Sequence, residues 1–257
     1  EPDAGSDAGS TKTKAVRSGD EYVVNGGKIF ITNAGEAGFL SFTSQVIEDE
    51  NSLGIGAFII PTNTPGLEIG KKEKKMGWNS QPTAQVIFEN CKVPVENLVG
   101  HEGEGFKIAM QGLDGGRINI GACSIGAARS CLERSLAYVN ERKQFGKKIS
   151  DFQTIQFKLA DMSTELEAAR LMIYRAAFEL DNKGIQTTKM CAMAKRFATD
   201  IGFKVCNEAL QLHGGYGYLS EYSIERFVRD CRVHQILEGT NEIMNVIIAR
   251  ILMENRK

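Results

Sequence analysis

Histidine, proline and tryptophan are scarce in this chain: three, five and one among 257 residues. The histidines, His101, His213 and His234, are scattered, and without an H-E-x-x-H or a Cys/His cluster they offer no metal site. The six cysteines (Cys91, Cys123, Cys131, Cys191, Cys206 and Cys231) include no C-x-x-C pair. Most lie among apolar neighbours at helical spacing and read as reduced core residues from a reducing compartment. No apolar run approaches the roughly 20 residues that a membrane helix needs. Nor is there an excess of one charge: 31 Lys+Arg face 32 Asp+Glu, so neither a nucleic-acid surface nor an acidic tail is expected. N-x-[ST] sequons and G-x-x-x-x-G-K-[ST] are missing. Gly54-Ile55-Gly56 and Gly215-Tyr216-Gly217 lack a third glycine and lie outside any βαβ unit, which argues against a Rossmann site. The chain has no initiator Met and no targeting signal, and its start reads as the middle of a loop.

What is present falls into two textures, and the boundary is expected near residue 97. Residues 1–97 read as a β domain and 98–257 as a helical one. Short strands are expected over Thr13 to Arg17, Tyr22 to Val24, Lys28 to Thr32, Phe39 to Val46, Gly56 to Ile60, Leu67 to Ile69 and Ala84 to Glu89. Asn25-Gly26-Gly27 is a hairpin signal, because such turns need positive φ. Many short strands without intervening helices imply a small barrel or sandwich. After Pro94 the period changes. Helices are expected over Phe106 to Leu113, Ile118 to Glu141 and Asp151 to Asp181, and around Cys191 to Leu212, ending at Gly214-Gly215. Each carries one apolar stripe, as in an antiparallel four-helix bundle, so the fold class is α+β with two domains.

A helical run from Ile224 to Ile236 leads into Glu238-Gly239, and Thr240-Asn241 then opens the last helix. Glu238 thus lies at a helix–loop–helix junction where backbone N–H groups are available and glycine permits close approach. That suits a carboxylate acting as a base; taken alone, such a residue is more often an ordinary solvated glutamate. Glu1 to Ser10 offers backbone N–H groups and serines to a phosphate, or is a flexible linker. Arg142 closes a helix with a guanidinium that suits a pyrophosphate, or merely decorates a C-terminus. Three glycines within Gly214 to Gly217 exceed what a C-cap requires. Asp114-Gly115-Gly116-Arg117 reads as a helix break with an arginine aimed from it.

Together, and in this order, these pieces resemble the acyl-CoA dehydrogenase family. The likeness spans the whole chain: Glu1-Pro2-x-x-Gly5-Ser6, Phe30-Ile31-Thr32-Asn33, Gly103-Glu104-Gly105-Phe106, Arg142-x-x-Phe145-Gly146, Gln153 to Met162, the Gly214 loop and Glu238-Gly239-Thr240. Lys71 to Ser80, Gly112 to Ile120 and His234 to Glu242 look most like members acting on isobutyryl-CoA.

The resemblance implies FAD as cofactor and Glu238 as the general base, with Gly239 against the substrate thioester. It implies FAD contacts from Glu1, Pro2, Asp3, Ala4, Gly5 and Ser6, from Phe30, Ile31 and Thr32 along the flavin, and from Thr240, Asn241 and Glu242. Arg142, Phe152, Gln153, Gln211, Leu212, His213, Gly214 and Gly215 match residues that reach FAD across a subunit interface, as in a dimer of dimers. Ser6, Asp114, Gly115, Gly116, Arg117 and Arg250 match acyl-CoA contacts. Phe30 stands where many relatives have Trp. The family's N-terminal helical domain, about a hundred residues, has no counterpart in this sequence. The implied reaction is α,β-dehydrogenation of a short, branched acyl-CoA in branched-chain amino acid catabolism, with electron transfer flavoprotein as partner. The expected location is the mitochondrial matrix in a eukaryote or the cytoplasm in a bacterium. An acyl-CoA oxidase and a non-catalytic scaffold of the same fold are the alternatives.

Overall fold

The computed structural model describes residues 1–254. Packing divides the chain into two units, Glu1–Gly112 and the residues from Leu113 onward. That division falls inside a helix, later than the change of texture near residue 97.

The first unit holds seven strands: β1 (Lys14–Ser18), β2 (Glu21–Thr32), β3 (Phe39–Glu48), β4 (Asn51–Pro61), β5 (Leu67–Ile69), β6 (Thr83–Pro94) and β7 (Leu98–Val99). They form one mixed sheet in the order β5-β6-β2-β1-β3-β4-β7, with only the β1–β3 pair parallel. Inward-facing Tyr22, Val24, Phe42, Val46, Phe58, Val86 and Phe88 make its core. Phe42 stacks on Phe58 at 5.4 Å and lies 4.6 Å from Phe88. The hairpin expected at Asn25-Gly26-Gly27 is not there. β2 runs straight through it, and the chain reverses instead at Gly19 (φ 62°), where Ser18 pairs with Glu21. The glycines serve a bulge: register against β6 shifts between Val24 and Gly26, and Gly26 has φ 142°. A Cβ there would lie 2.8 Å from the Thr13 Cα, so glycine is also required for close approach.

The second unit is built from α1 (Gly105–Glu141, which begins in the first unit), α2 (Gln153–Asp181), α3 (Thr187–His213), α4 (Ile224–Arg232) and α5 (Asn241–Glu254). The expected break at Asp114 to Arg117 is absent, because α1 is continuous for 37 residues. Small residues draw the helices together. A Cβ on Gly121 would meet the Ile173 Cδ1 at 2.3 Å, and one on Gly202 would meet the Ser124 carbonyl oxygen at 3.0 Å. The core combines Ala128, Cys131, Met162, Leu166, Ala169, Cys191, Ala198 and Val205. Five of the six cysteines are buried and all six are free thiols. Among the described residues, no helix is long and apolar enough to cross a membrane.

Candidate active site

α4 runs out through a 3₁₀ turn, Val233–Gln235, and two left-handed residues follow: Glu238 (φ 56°) and Gly239 (φ 88°). They reverse the chain into α5, whose first turn is capped by the Thr240 Oγ1, which accepts the Ile243 N–H at 3.3 Å. A left-handed glutamate is strained and persists only where its surroundings hold it.

Those surroundings are specific. The Arg117 Nε donates to the Glu238 carbonyl oxygen at 3.4 Å, while its Nη1 donates to the Asp114 Oδ1 at 2.8 Å. The Thr188 hydroxyl donates to the other Asp114 oxygen at 2.8 Å. From α3, the Lys195 Nζ donates to the Gly239 carbonyl oxygen and to the Asn241 Oδ1, both at 2.8 Å. The Asn241 amide in turn donates to the Asp200 Oδ1 at 2.7 Å, an oxygen that also receives the Gln235 amide. The Glu238 carboxylate itself lies over Gly116 of α1: a Cβ there would stand 2.4 Å from its Oε2 and 2.8 Å from its Cδ. This explains a glycine in the middle of a helix. Burial pushes the Glu238 carboxyl above its ordinary range, against the positive charges of Arg117 and Lys195, which pull it down.

The residues expected at substrate and flavin divide accordingly. Glu238, Gly239 and Asp114 to Arg117 come together, but Asp114 and Arg117 are buried and serve the Glu238 loop from within. The Asn241 side chain is also turned inward, whereas Glu242 and Arg250 are exposed. Elsewhere in this unit Arg142, Gln211, Leu212, His213, Gly214 and Gly215 line one groove of about 430 Å³, with Tyr138 and Tyr216. The Arg142 guanidinium lies 5.3 Å over the Tyr216 ring, and nothing stands within 4 Å of a Cβ placed on Gly214 or Gly215. A fixed cation beside two uncovered glycines suits a pyrophosphate-bearing ligand. Phe152 lies under the Lys147 ammonium (4.1 Å) and is not part of the groove's lining; Gln153 is exposed at the start of α2.

In the first unit, Glu1 anchors its loop. Its carboxylate accepts the Lys12 N–H (2.6 Å), the Thr13 hydroxyl (2.6 Å), the Thr11 hydroxyl and the Lys28 ammonium (2.5 Å). Although partial burial opposes it, these donors hold the carboxyl far below its usual range. Glu1, Ala4, Lys28 and Ile31 line a second groove of about 540 Å³; Pro2, Asp3, Gly5 and Ser6 are exposed around it. Phe30 is 69% exposed and left-handed (φ 58°), and Thr32 is exposed as well.

Residues 1–91 match the acyl-CoA dehydrogenase middle domain, and residues 103–253 match the acyl-CoA dehydrogenase C-terminal domain. This chain belongs to the acyl-CoA dehydrogenase family. It is 51% identical over 255 residues to the mitochondrial isobutyryl-CoA dehydrogenase of Dictyostelium discoideum, covering 99% of the chain but 61% of that relative. It is 45% identical to the CarC subunit of the caffeyl-CoA reductase–Etf complex of Acetobacterium woodii, covering 99% of the chain and 67% of the relative. The structure of butyryl-CoA dehydrogenase from Megasphaera elsdenii superposes with a TM-score of 0.94 at 44% identity, over 98% of this chain and 66% of that one. The family chain thus spans about three fifths of the isobutyryl-CoA dehydrogenase.

Sequence reasoning missed Lys195, Asp200 and Gln235. One signal was available: Lys195 falls on the buried face of α3, one turn from Cys191 and Ala198.

Proposed function

We propose that the protein dehydrogenates a short, branched acyl-CoA to its 2-enoyl-CoA with FAD as cofactor, isobutyryl-CoA being the first candidate substrate. The observation that carries this reading is the Glu238 carboxylate, raised in pKa by burial and held at a fixed place over Gly116. A base poised above the ordinary carboxylate range binds the α-proton of a thioester more firmly than a solvated glutamate would. FAD, when bound, supplies the acceptor for the β-hydrogen. Arg142 and Gln211 to Gly215 would hold it in their groove, with Phe152 and Gln153 nearby in sequence; Glu1 to Ser6, Phe30 to Thr32 and Thr240 to Glu242 would hold it elsewhere. Ser6, Gly239, Gly115, Gly116 and Arg250 would meet the acyl-CoA. Asp114 and Arg117, being buried, would act on it through the Glu238 loop.

The branched substrate is supported by the isobutyryl-CoA dehydrogenase likeness. Electron transfer flavoprotein is proposed as electron partner, supported by the Etf-complex relative. A dimer of dimers is proposed because flavin-binding residues are expected to complete a neighbour's site. A mitochondrial matrix location in a eukaryote, or a cytoplasmic one in a bacterium, accords with these relatives.

The test is direct. Purified protein should be yellow, and isobutyryl-CoA should bleach its flavin absorbance faster than octanoyl-CoA does. Colourless protein would favour the scaffold reading, and reduced flavin that reacts rapidly with oxygen would favour an oxidase.

A further inference from the structure

Lys195 lies on α3 with none of its surface exposed, between turns carrying Cys191 and Ala198, which are equally buried. Core packing at that place asks for another small apolar residue. An ammonium buried there is costly unless its hydrogen bonds are satisfied. Its two bonds, to the Gly239 carbonyl oxygen and the Asn241 Oδ1, both go to the residues that follow Glu238. On the other side, the Arg117 Nε reaches the carbonyl oxygen of Glu238 itself. The left-handed pair Glu238-Gly239 is therefore pinned from α1 and from α3.

We propose that Lys195 is a positioning residue for Glu238, clamping the loop so that the carboxylate keeps its place over Gly116. The activity arm of this proposal rests on the reading of Glu238 as base; the clamp itself does not. The charged groups facing Lys195 are Asp200 on α3, Glu238 in the loop, Glu242 on α5 and Arg117 on α1. Burial lowers the Lys195 ammonium to about 8, opposed by the attraction of Asp200 and assisted by Arg117. Because Lys195 in its charged form holds the Glu238 pKa down, removing that charge should move the base's titration upward.

The variant is Lys195→Met, which keeps length and apolar bulk but removes charge and donor. Helix content and flavin content should match wild type. Amide hydrogen exchange in the peptide spanning residues 236–242 should accelerate by about tenfold or more, with α2 unchanged. Flavin reduction by acyl-CoA should slow by about 100-fold in kcat with KM little altered, and the acid limb of the kcat/KM profile should move to higher pH. If Lys195→Met does not fold, Lys195→Gln, which keeps an N–H donor but no charge at that place, decides the clamp: exchange in the same peptide should still be faster than in wild type. Unchanged loop exchange in the folded variant would overturn the proposal. Should wild-type flavin resist reduction by every acyl-CoA tried, the base reading fails, while the exchange result still decides the clamp.

Discussion

Gly116→Ala separates the stability of α1 from the placement of the Glu238 carboxylate, the proposed base. In a helix interior, replacing glycine with alanine is worth about 1 kcal/mol of stability. At Gly126, in the same helix, nothing stands within 4 Å of the added Cβ, so Gly126→Ala should gain that amount and leave activity alone. At Gly116 the same methyl would sit 2.4 Å from the Glu238 Oε2. Ordinary non-bonded separation is about 3.5 Å, so the carboxylate must retreat by about 1 Å. It is the far end of a flexible side chain, and it can retreat at little cost in stability. A displacement of that size at a reacting group costs about 100-fold in rate. The expected result is a variant as stable as wild type or more so, with flavin content intact, whose kcat/KM for acyl-CoA falls by about two orders of magnitude. The assays are thermal unfolding and stopped-flow bleaching of the flavin. Reduction within about threefold of wild type would refute the proposal that the Glu238 carboxylate, as placed over Gly116, is the base.

Glu238→Gln should keep the loop, because Arg117 and Lys195 hold its backbone carbonyls rather than its side chain, but lose flavin reduction by at least about 1000-fold. Because burial raises the Glu238 pKa, its contribution to stability is fully present below the unfolded value of 4.5 and is lost as pH rises through the folded value. The glutamine variant should therefore be the more stable protein at pH 7 but not at pH 4, which urea titrations at the two pH values would show. Glu1 has the opposite sign: its lowered pKa gives stability that is present above 4.5 and lost as pH falls below it, so protection in residues 1–10, corrected for the intrinsic exchange rate, should fall in acid while the β2–β6 ladder stays protected. Gly26→Ala forces a strained φ and a clash with the Thr13 backbone, and should lower stability by about 2 kcal/mol or more, read from the denaturant midpoint.

Period and punctuation carried most of the fold. β5 falls on the residues expected, Leu67–Ile69, and the helices from Gln153 and Thr187 follow their apolar stripes. Two glycines depart from the role their local sequence suggests, for one physical reason. A glycine reports that a side chain is intolerable there, but not whether the backbone or a neighbour forbids it. Gly26 combines positive φ with the Thr13 backbone inside a strand, and its local signal was indistinguishable from a hairpin. Gly116 has helical φ and yields to the Glu238 carboxylate, 122 residues away in sequence, so it looked like a break in a helix that does not break. The β3–β4 turn shows the converse. Asp49 and Glu50 both adopt positive φ (48° and 65°) without any glycine to announce it.

The candidate site is legible in its residues and hidden in its mechanics. Glu238, Gly239 and the Asp114 to Arg117 stretch could be singled out because each breaks a local rule. That Arg117 turns inward to a backbone carbonyl, and that a lysine replaces an apolar residue on α3, follow only from contacts between distant elements. Three features here are each unfavourable alone: a glutamate with φ 56°, a glycine inside α1, and an ammonium with no exposed surface. Natural sequences depart from local consistency mainly where function requires it. These departures share one consequence, because the strained turn aims the carboxylate at α1, the glycine leaves it room, and the lysine holds the turn. Relaxing any one of them would improve a local preference and move the same carboxylate, so the cluster makes sense as machinery for placing Glu238 and not as three separate accidents of packing.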